Sequence, residues 1–154
     1  MRKLATFLAL TALAAPLAAK DSLGVYSNWA AFRDAETPRC YAIAKPRGRN
    51  AAGAFASIGT WPKRGIRNQV HFRLSRSARE GSTVRVRVDT TNFDLVVRGR
   101  DAWAPDAQTD AAIVAALRSA SAMRVNGGGV SDRYALSGVA TAMDAAIVGC
   151  ANLS

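Results

Sequence analysis

The stretch Thr83-Val84-Arg85-Val86-Arg87-Val88 alternates without a break, valine to one side and arginine to the other. Side chains in a strand point alternately to opposite faces, so this pattern is that of a strand whose valine face is covered and whose arginine face meets water. Val70, Phe72 and Leu74 repeat it upstream, and Phe93, Leu95 and Val97 repeat it downstream. Three strands with matching apolar faces commit the chain to an antiparallel sheet that is dry on one side and solvated on the other.

Strands are predicted over 23–29, 40–44, 54–60, 70–74, 83–88 and 93–97, separated by turn-forming residues. Glu80-Gly81 and Asp89-Thr90-Thr91-Asn92 are the turn signals between the last three, and an antiparallel meander is the economical topology. A register that keeps the apolar faces together sets Arg73 beside Arg85 and His71 beside Arg87 on the outer face, with Asp94 beside Arg87. Arg76, Arg79, Arg98 and Arg100 then extend the basic surface into the loops.

The second half changes period. Asp106 or Thr109 can cap a helix reaching about Arg118, with Asp110 in its positive first turn and Ile113, Leu117 and Ala120 on one face. A hairpin over 123–125 and 133–136 turns at Gly127-Gly128-Gly129, and a closing helix begins near Val139, where Val139, Met143, Ile147 and Cys150 share a stripe. The fold class is therefore mainly β: an antiparallel β-sandwich or barrel-like domain with two short helices in its C-terminal half.

Ahead of this domain, Met1-Arg2-Lys3 is positive, Leu4 to Ala15 is apolar apart from Thr6 and Thr11, and Pro16-Leu17-Ala18-Ala19 ends in small residues. That order is the signature of a secretory signal peptide, here residues 1–19 with cleavage after Ala19. The apolar run is about a dozen residues, short of the roughly twenty that span a bilayer as a helix. Residues 20–154 are then one periplasmic or secreted domain with no linker to divide it. Taking Arg2 and Lys3 from the 21 basic residues leaves 19 against 11 acidic, a net charge of +8 that favours anionic partners.

Cys40 and Cys150 are the two cysteines, and an exported chain with an even count is expected to pair them. Closing a loop of about a hundred residues restricts the unfolded chain by roughly 4.7 kcal/mol on the chain-entropy view. No C-x-x-C motif lowers a thiol pKa for redox catalysis.

The inventory of reactive groups is thin. His71 is the single histidine, and on the expected register it lies among arginines, which suits a partner for an anion better than a general base. One histidine is too few for a zinc site, and Asp101, Asp106 and Asp110 lack the spacing of a calcium loop, so no metal or cofactor is implied. Gly127-Gly128-Gly129 precedes a strand instead of the Lys and helix of a phosphate loop, and reads as a tight turn. Trp29, Trp61 and Trp103 read as core or loop anchors ahead of a stacking platform. Lys45-Pro46-Arg47-Gly48-Arg49 and Lys63-Arg64-Gly65-Ile66-Arg67 are basic loops able to grip a polyanion without reading bases. The anion-binding candidates are His71, Arg73, Arg85, Arg87, Lys63 and Arg64.

Arg39-Cys40-Tyr41-Ala42-Ile43-Ala44 after Trp29, the helix Thr109-Asp110-Ala111-Ala112-Ile113-Val114-Ala115-Ala116-Leu117-Arg118-Ser119-Ala120, and Tyr134-Ala135-Leu136-Ser137-Gly138-Val139 leading into the last helix form a recognisable order. It resembles the invasion-associated locus B family of alphaproteobacterial periplasmic proteins. Val70-His71-Phe72-Arg73-Leu74-Ser75-Arg76 and Ile58-Gly59-Thr60-Trp61-Pro62-Lys63-Arg64 look like a subgroup from sphingomonad-type bacteria. The resemblance implies a β-sandwich-like domain in the envelope and, in some pathogenic members, a link to host-cell invasion; it brings no catalytic residues. This chain departs from the family pattern in having no Cys between Trp29 and Cys40.

The leading expectation is a non-enzymatic periplasmic or envelope protein whose basic β-face binds an anionic envelope polymer, a lipid headgroup or a periplasmic protein. No chromosomal nucleic acid is expected as a partner of an exported chain. The alternative is a periplasmic enzyme inhibitor or small hydrolase with a site near Trp61 and Trp103.

Overall fold

The computed structural model of the chain describes residues 20–48 and 51–153, so the expected signal segment lies outside the described residues. Ten strands are β1 (Asp21–Tyr26), β2 (Trp29–Asp34), β3 (Arg39–Ala44), β4 (Phe55–Trp61), β5 (Ile66–Arg73), β6 (Val84–Val88), β7 (Thr91–Arg98), β8 (Asp101–Trp103), β9 (Ala122–Gly127) and β10 (Val130–Ala135). Two helices, α1 (Ala107–Leu117) and α2 (Val139–Gly149), and a 3₁₀ turn, Pro62–Arg64, complete the described elements. All strands belong to one antiparallel sheet in the order β1-β2-β3-β4-β5-β8-β7-β6-β9-β10. The fold is mainly β with two late helices, as the periodicity implies, and the sheet stays open, because β1 and β10 each pair with one neighbour only.

Two strand expectations need correction. The stretch 23–29 is not one strand: Ser27 adopts φ 54 in a tight turn, and Tyr26 comes to lie opposite Trp29. The meander of the three central strands is also broken. After the two-residue turn Gly99-Arg100 the chain forms β8, which slips between β5 and β7. Arg73 therefore opposes Asp101 and His71 opposes Trp103, while Arg85 opposes Asp94 and Asn126, and Arg87 opposes Asn92 and Arg124.

The cause lies where the chain leaves β5. The Leu74 carbonyl accepts from Arg100 Nε at 2.9 Å, the Ser75 N–H donates to Asp132 Oδ2 at 2.9 Å, and the Arg79 N–H donates to the Gly128 carbonyl at 2.9 Å. With those backbone groups satisfied away from β6, the turn signal at Glu80-Gly81 closes a loop instead of a hairpin.

Alternation then sorts the residues. Trp29, Ala31, Cys40, Ala42, Ile58, Val70, Phe72, Ala102, Val84, Val86 and Val125 all fall on the inner face and are buried. Helix α2 covers β1 to β4 and α1 covers β5 and β6. Asp106 caps α1, its carboxylate accepting from the Thr109 N–H at 2.7 Å. Asp110 does more than complement the helix dipole: it is buried and accepts from the Val70 N–H at 2.8 Å, and burial raises its pKa. On α2 the buried stripe is Val139, Ala142, Met143 and Ala146, so Ile147, expected inside, is 45% exposed. The small Ala142 and Ala146 let the helix lie close to the sheet on that side.

Cys40 and Cys150 form the expected disulfide, with Cα atoms 5.6 Å apart, joining β3 to the end of α2 across 110 positions. Both sulfurs are buried beside the helix–sheet contact. Replacing both cysteines, Cys40→Ala with Cys150→Ala, should cost about 3 kcal/mol and lower the melting temperature by about 10 °C. Thermal unfolding of the oxidised chain from Lys20 onward against this variant checks it, and equal melting temperatures would contradict it.

Candidate functional site

The open sheet curls until its last strand meets the start of its second. Trp29, fully buried, donates from Nε1 to the Ala135 carbonyl at 2.9 Å. The Asn28 N–H donates to the Ser137 carbonyl at 3.2 Å, and the Arg47 N–H to the Arg133 carbonyl at 2.7 Å. Gly138, at φ 89, sits against the same junction; a Cβ there would lie 1.8 Å from the Tyr26 carbonyl oxygen, so only glycine fits. These contacts form a seam that sets the outer face of β10 beside the β1–β2 turn and the loop leaving β3.

Three arginines reach this seam by register alone. The β9–β10 hairpin turns at Gly128-Gly129 and places Arg124 opposite Arg133. The β6–β9 ladder places Arg87 opposite Arg124. Valines and Met123 on the same strands point inward, so the three guanidinium groups share the outer face on adjacent strands. The loop after β3 contributes a fourth, Arg47. Together they line a groove of about 630 Å³ whose wall also includes Asn28, Asp89, Ser121 and Asn126.

The electrostatics of this groove are lopsided. None of its four arginines joins an ion pair among the described residues. Arg87 donates from Nε to the Asp89 carbonyl at 2.8 Å, not to its carboxylate. That carboxylate is taken up by backbone, accepting from the Ser121 N–H at 3.0 Å and the Ala122 N–H at 2.9 Å. Like charges placed directly across strands repel. An anion seated between them relieves that repulsion, and guanidinium forks match phosphate or carboxylate oxygens.

The residues singled out from sequence divide into three groups. Arg73 forms an ion pair with Asp101, whose other oxygen lies 3.0 Å from His71 Nε2. The His71 ring stacks on Trp103 at 5.1 Å and meets the edge of Phe55 at 5.3 Å. Arg85 is held by Asp94, with Nε 2.5 Å from Oδ1. The expected Asp94–Arg87 neighbour pair does not form, because the β6–β7 register sets Asp94 opposite Arg85. Lys63 and Arg64 sit on the 3₁₀ turn at the opposite end of β4 and β5 from Phe55 and Arg73. Of the six candidates only Arg87 belongs to the arginine groove.

The tryptophans divide in the same way. Trp29 is a core anchor, as expected, whereas Trp61 and Trp103 are half-buried on the outer face. Trp61 lies over Gly59, and neither Trp61, Trp103 nor His71 lines the arginine groove. Arg124 and Arg133 were missed, although the expected hairpin held a signal for them: a turn centred on Gly128-Gly129 pairs them. Arg87 joins them through a ladder between strands far apart in sequence, which no local pattern encodes.

Comparison of the chain with protein-family models, with curated proteins and with solved structures found no match. What defines the protein is an open, curled antiparallel sheet, clasped by a disulfide to its last helix, with an arginine-lined groove at its seam.

A row of like charges on adjacent strands costs stability in the empty protein. Arg124→Glu, at the middle of the row, should therefore raise the melting temperature by a few degrees at low salt, a gain of about 1 kcal/mol. That gain should shrink at high salt. A melting temperature below that of the parent chain at low salt would show that the row is not repulsive.

Proposed function

We propose that this chain is an exported, non-enzymatic envelope protein that binds an anionic component of the envelope in the groove formed by Arg47, Arg87, Arg124 and Arg133. The observation that carries the reading is a contrast between arginines on one surface. Arg73 and Arg85 each have a carboxylate partner, while Arg87, Arg124 and Arg133 oppose one another across strands with no described acid paired to them. Stability alone would favour alternating signs at such positions. A cluster kept basic, beside Asn28, Ser121 and Asn126 as further hydrogen-bonding groups, fits recognition of a phosphate or carboxylate.

The extracytoplasmic setting is supported by the disulfide between Cys40 and Cys150 and by the signal-like order of residues 1–19. Among the described residues, no helix is long and apolar enough to cross a membrane. Membership of the invasion-associated locus B family remains part of this proposal, resting on the residues quoted for it and on the mainly β architecture with a closing helix.

Co-sedimentation with phosphatidylglycerol vesicles, against phosphatidylcholine vesicles, tests the reading. The chain should be retained on the anionic vesicles at low salt and released at high salt. Replacing Arg87, Arg124 and Arg133 by Ala together should weaken retention by about a hundredfold, taking about 1 kcal/mol for each cation near an anionic surface. Arg73→Ala with Arg85→Ala should leave most of it. Salt-independent retention, or loss from the second variant equal to that from the first, would contradict the proposal.

A further inference from the structure

On the other side of the seam, the outer face of β1 to β4 departs from what a solvated face should carry. Ala30, Phe32, Ile43 and Phe55 point outward there and are half-buried, and Val25 is 72% exposed. They wall a second groove of about 630 Å³. Asn28, Arg47 and Ala135 line both grooves, so the apolar one adjoins the basic one at the seam. Each volume lies in the range of small-molecule sites, and apolar walls with a few convergent polar groups are their usual composition.

We infer that the occupant is a single-chain lipid with a phosphate-bearing headgroup, its phosphate held by Arg47, Arg87, Arg124 and Arg133 and its alkyl chain lying against Phe32, Ile43 and Phe55. The inference deepens the proposed function and rests on it. Charge complementarity sets the orientation, because Arg87, Arg124 and Arg133 line only the basic groove, while the apolar one has Lys45 and the shared Arg47 as its cations. Four guanidinium groups against the single Asp89 carboxylate leave an excess of positive charge. A phosphate monoester, with a charge of about −1.5 to −2 and three acceptor oxygens, answers that excess better than one carboxylate does. The apolar groove supplies the second requirement, since each methylene removed from water adds about 0.8 kcal/mol. One apolar groove, comparable in volume to the headgroup groove, suits one chain.

Calorimetric titration with methyl phosphate and with decyl phosphate, the latter below its micelle-forming concentration, tests this. Each added methylene that enters the groove should tighten binding by up to about fourfold, so decyl phosphate should bind at least about a hundredfold tighter than methyl phosphate. In Phe32→Ser with Ile43→Ser that advantage should fall by about tenfold or more while the affinity for methyl phosphate is unchanged. In Arg124→Ala with Arg133→Ala both ligands should weaken together. Equal affinities of the parent chain for the two phosphates would overturn the lipid inference and leave the anion-binding reading standing. An undiminished decyl advantage in the Phe32→Ser, Ile43→Ser variant would overturn it too. Binding of neither phosphate would sink both.

Discussion

The indole of Trp29, buried and hydrogen-bonded through Nε1 to the Ala135 carbonyl, joins two ends of a sheet that its strand order leaves open. A ten-stranded antiparallel sheet with one continuous apolar face has to curl or be covered, since a flat one would leave half its valines wet. Here both happen. Helices α1 and α2 cover part of the face, and the curl brings β10 against the start of β2. A large aromatic ring with one polar atom suits such a junction, because its body fills the core while its N–H satisfies a strand-end carbonyl. Gly138 permits the approach, and the Asn28 and Arg47 backbone N–H groups complete it.

That junction also organises the charge. Without it Arg47 would be one cation on a loop, and Arg87, Arg124 and Arg133 would be a row on an open sheet face. With it, the loop after β3 brings a fourth guanidinium to a groove whose one carboxylate is committed to backbone N–H groups. Elsewhere on the surface some arginines are paired with acids: Arg73 with Asp101, Arg85 with Asp94, and Arg118 with Asp144 between the two helices. Arg100 has a different task, donating to the carbonyls of Leu74, Ser75 and Ala52 to fix the loop that leaves β5. The seam differs in that its arginines face one another across adjacent strands.

Much of the fold is legible in the residues, and the misses share a cause. Alternation identifies the valine-rich strands, the change of period identifies the helices, and the even cysteine count identifies the disulfide. Each of these is a local or counting signal. Asp101–Trp103, at three residues, is too short to show alternation, yet its insertion between β5 and β7 changes the neighbours of Arg73, His71 and Arg85. The turn-like Glu80-Gly81 read as a hairpin because the partners of its flanking backbone, Arg100, Asp132 and Gly128, lie far along the chain. The same blindness to long-range pairing hid the site. Arg87 was visible as a basic outer-face residue, but its company of Arg124 and Arg133 depends on the β6–β9 ladder, and Arg47 depends on the seam.

The central claim is that long-range pairing gathers Arg47, Arg87, Arg124 and Arg133 into one anion site while His71, Arg73 and Arg85 are spent on internal partners. Backbone amide shifts of the isotope-labelled chain, followed by NMR as inorganic pyrophosphate is added, test it most directly. The largest changes should fall on Asn28, Arg47, Arg87, Arg124 and Arg133, and they should saturate together. Changes centred on His71, Arg73 and Arg85, or on Lys63 and Arg64, with the seam amides unmoved, would contradict it.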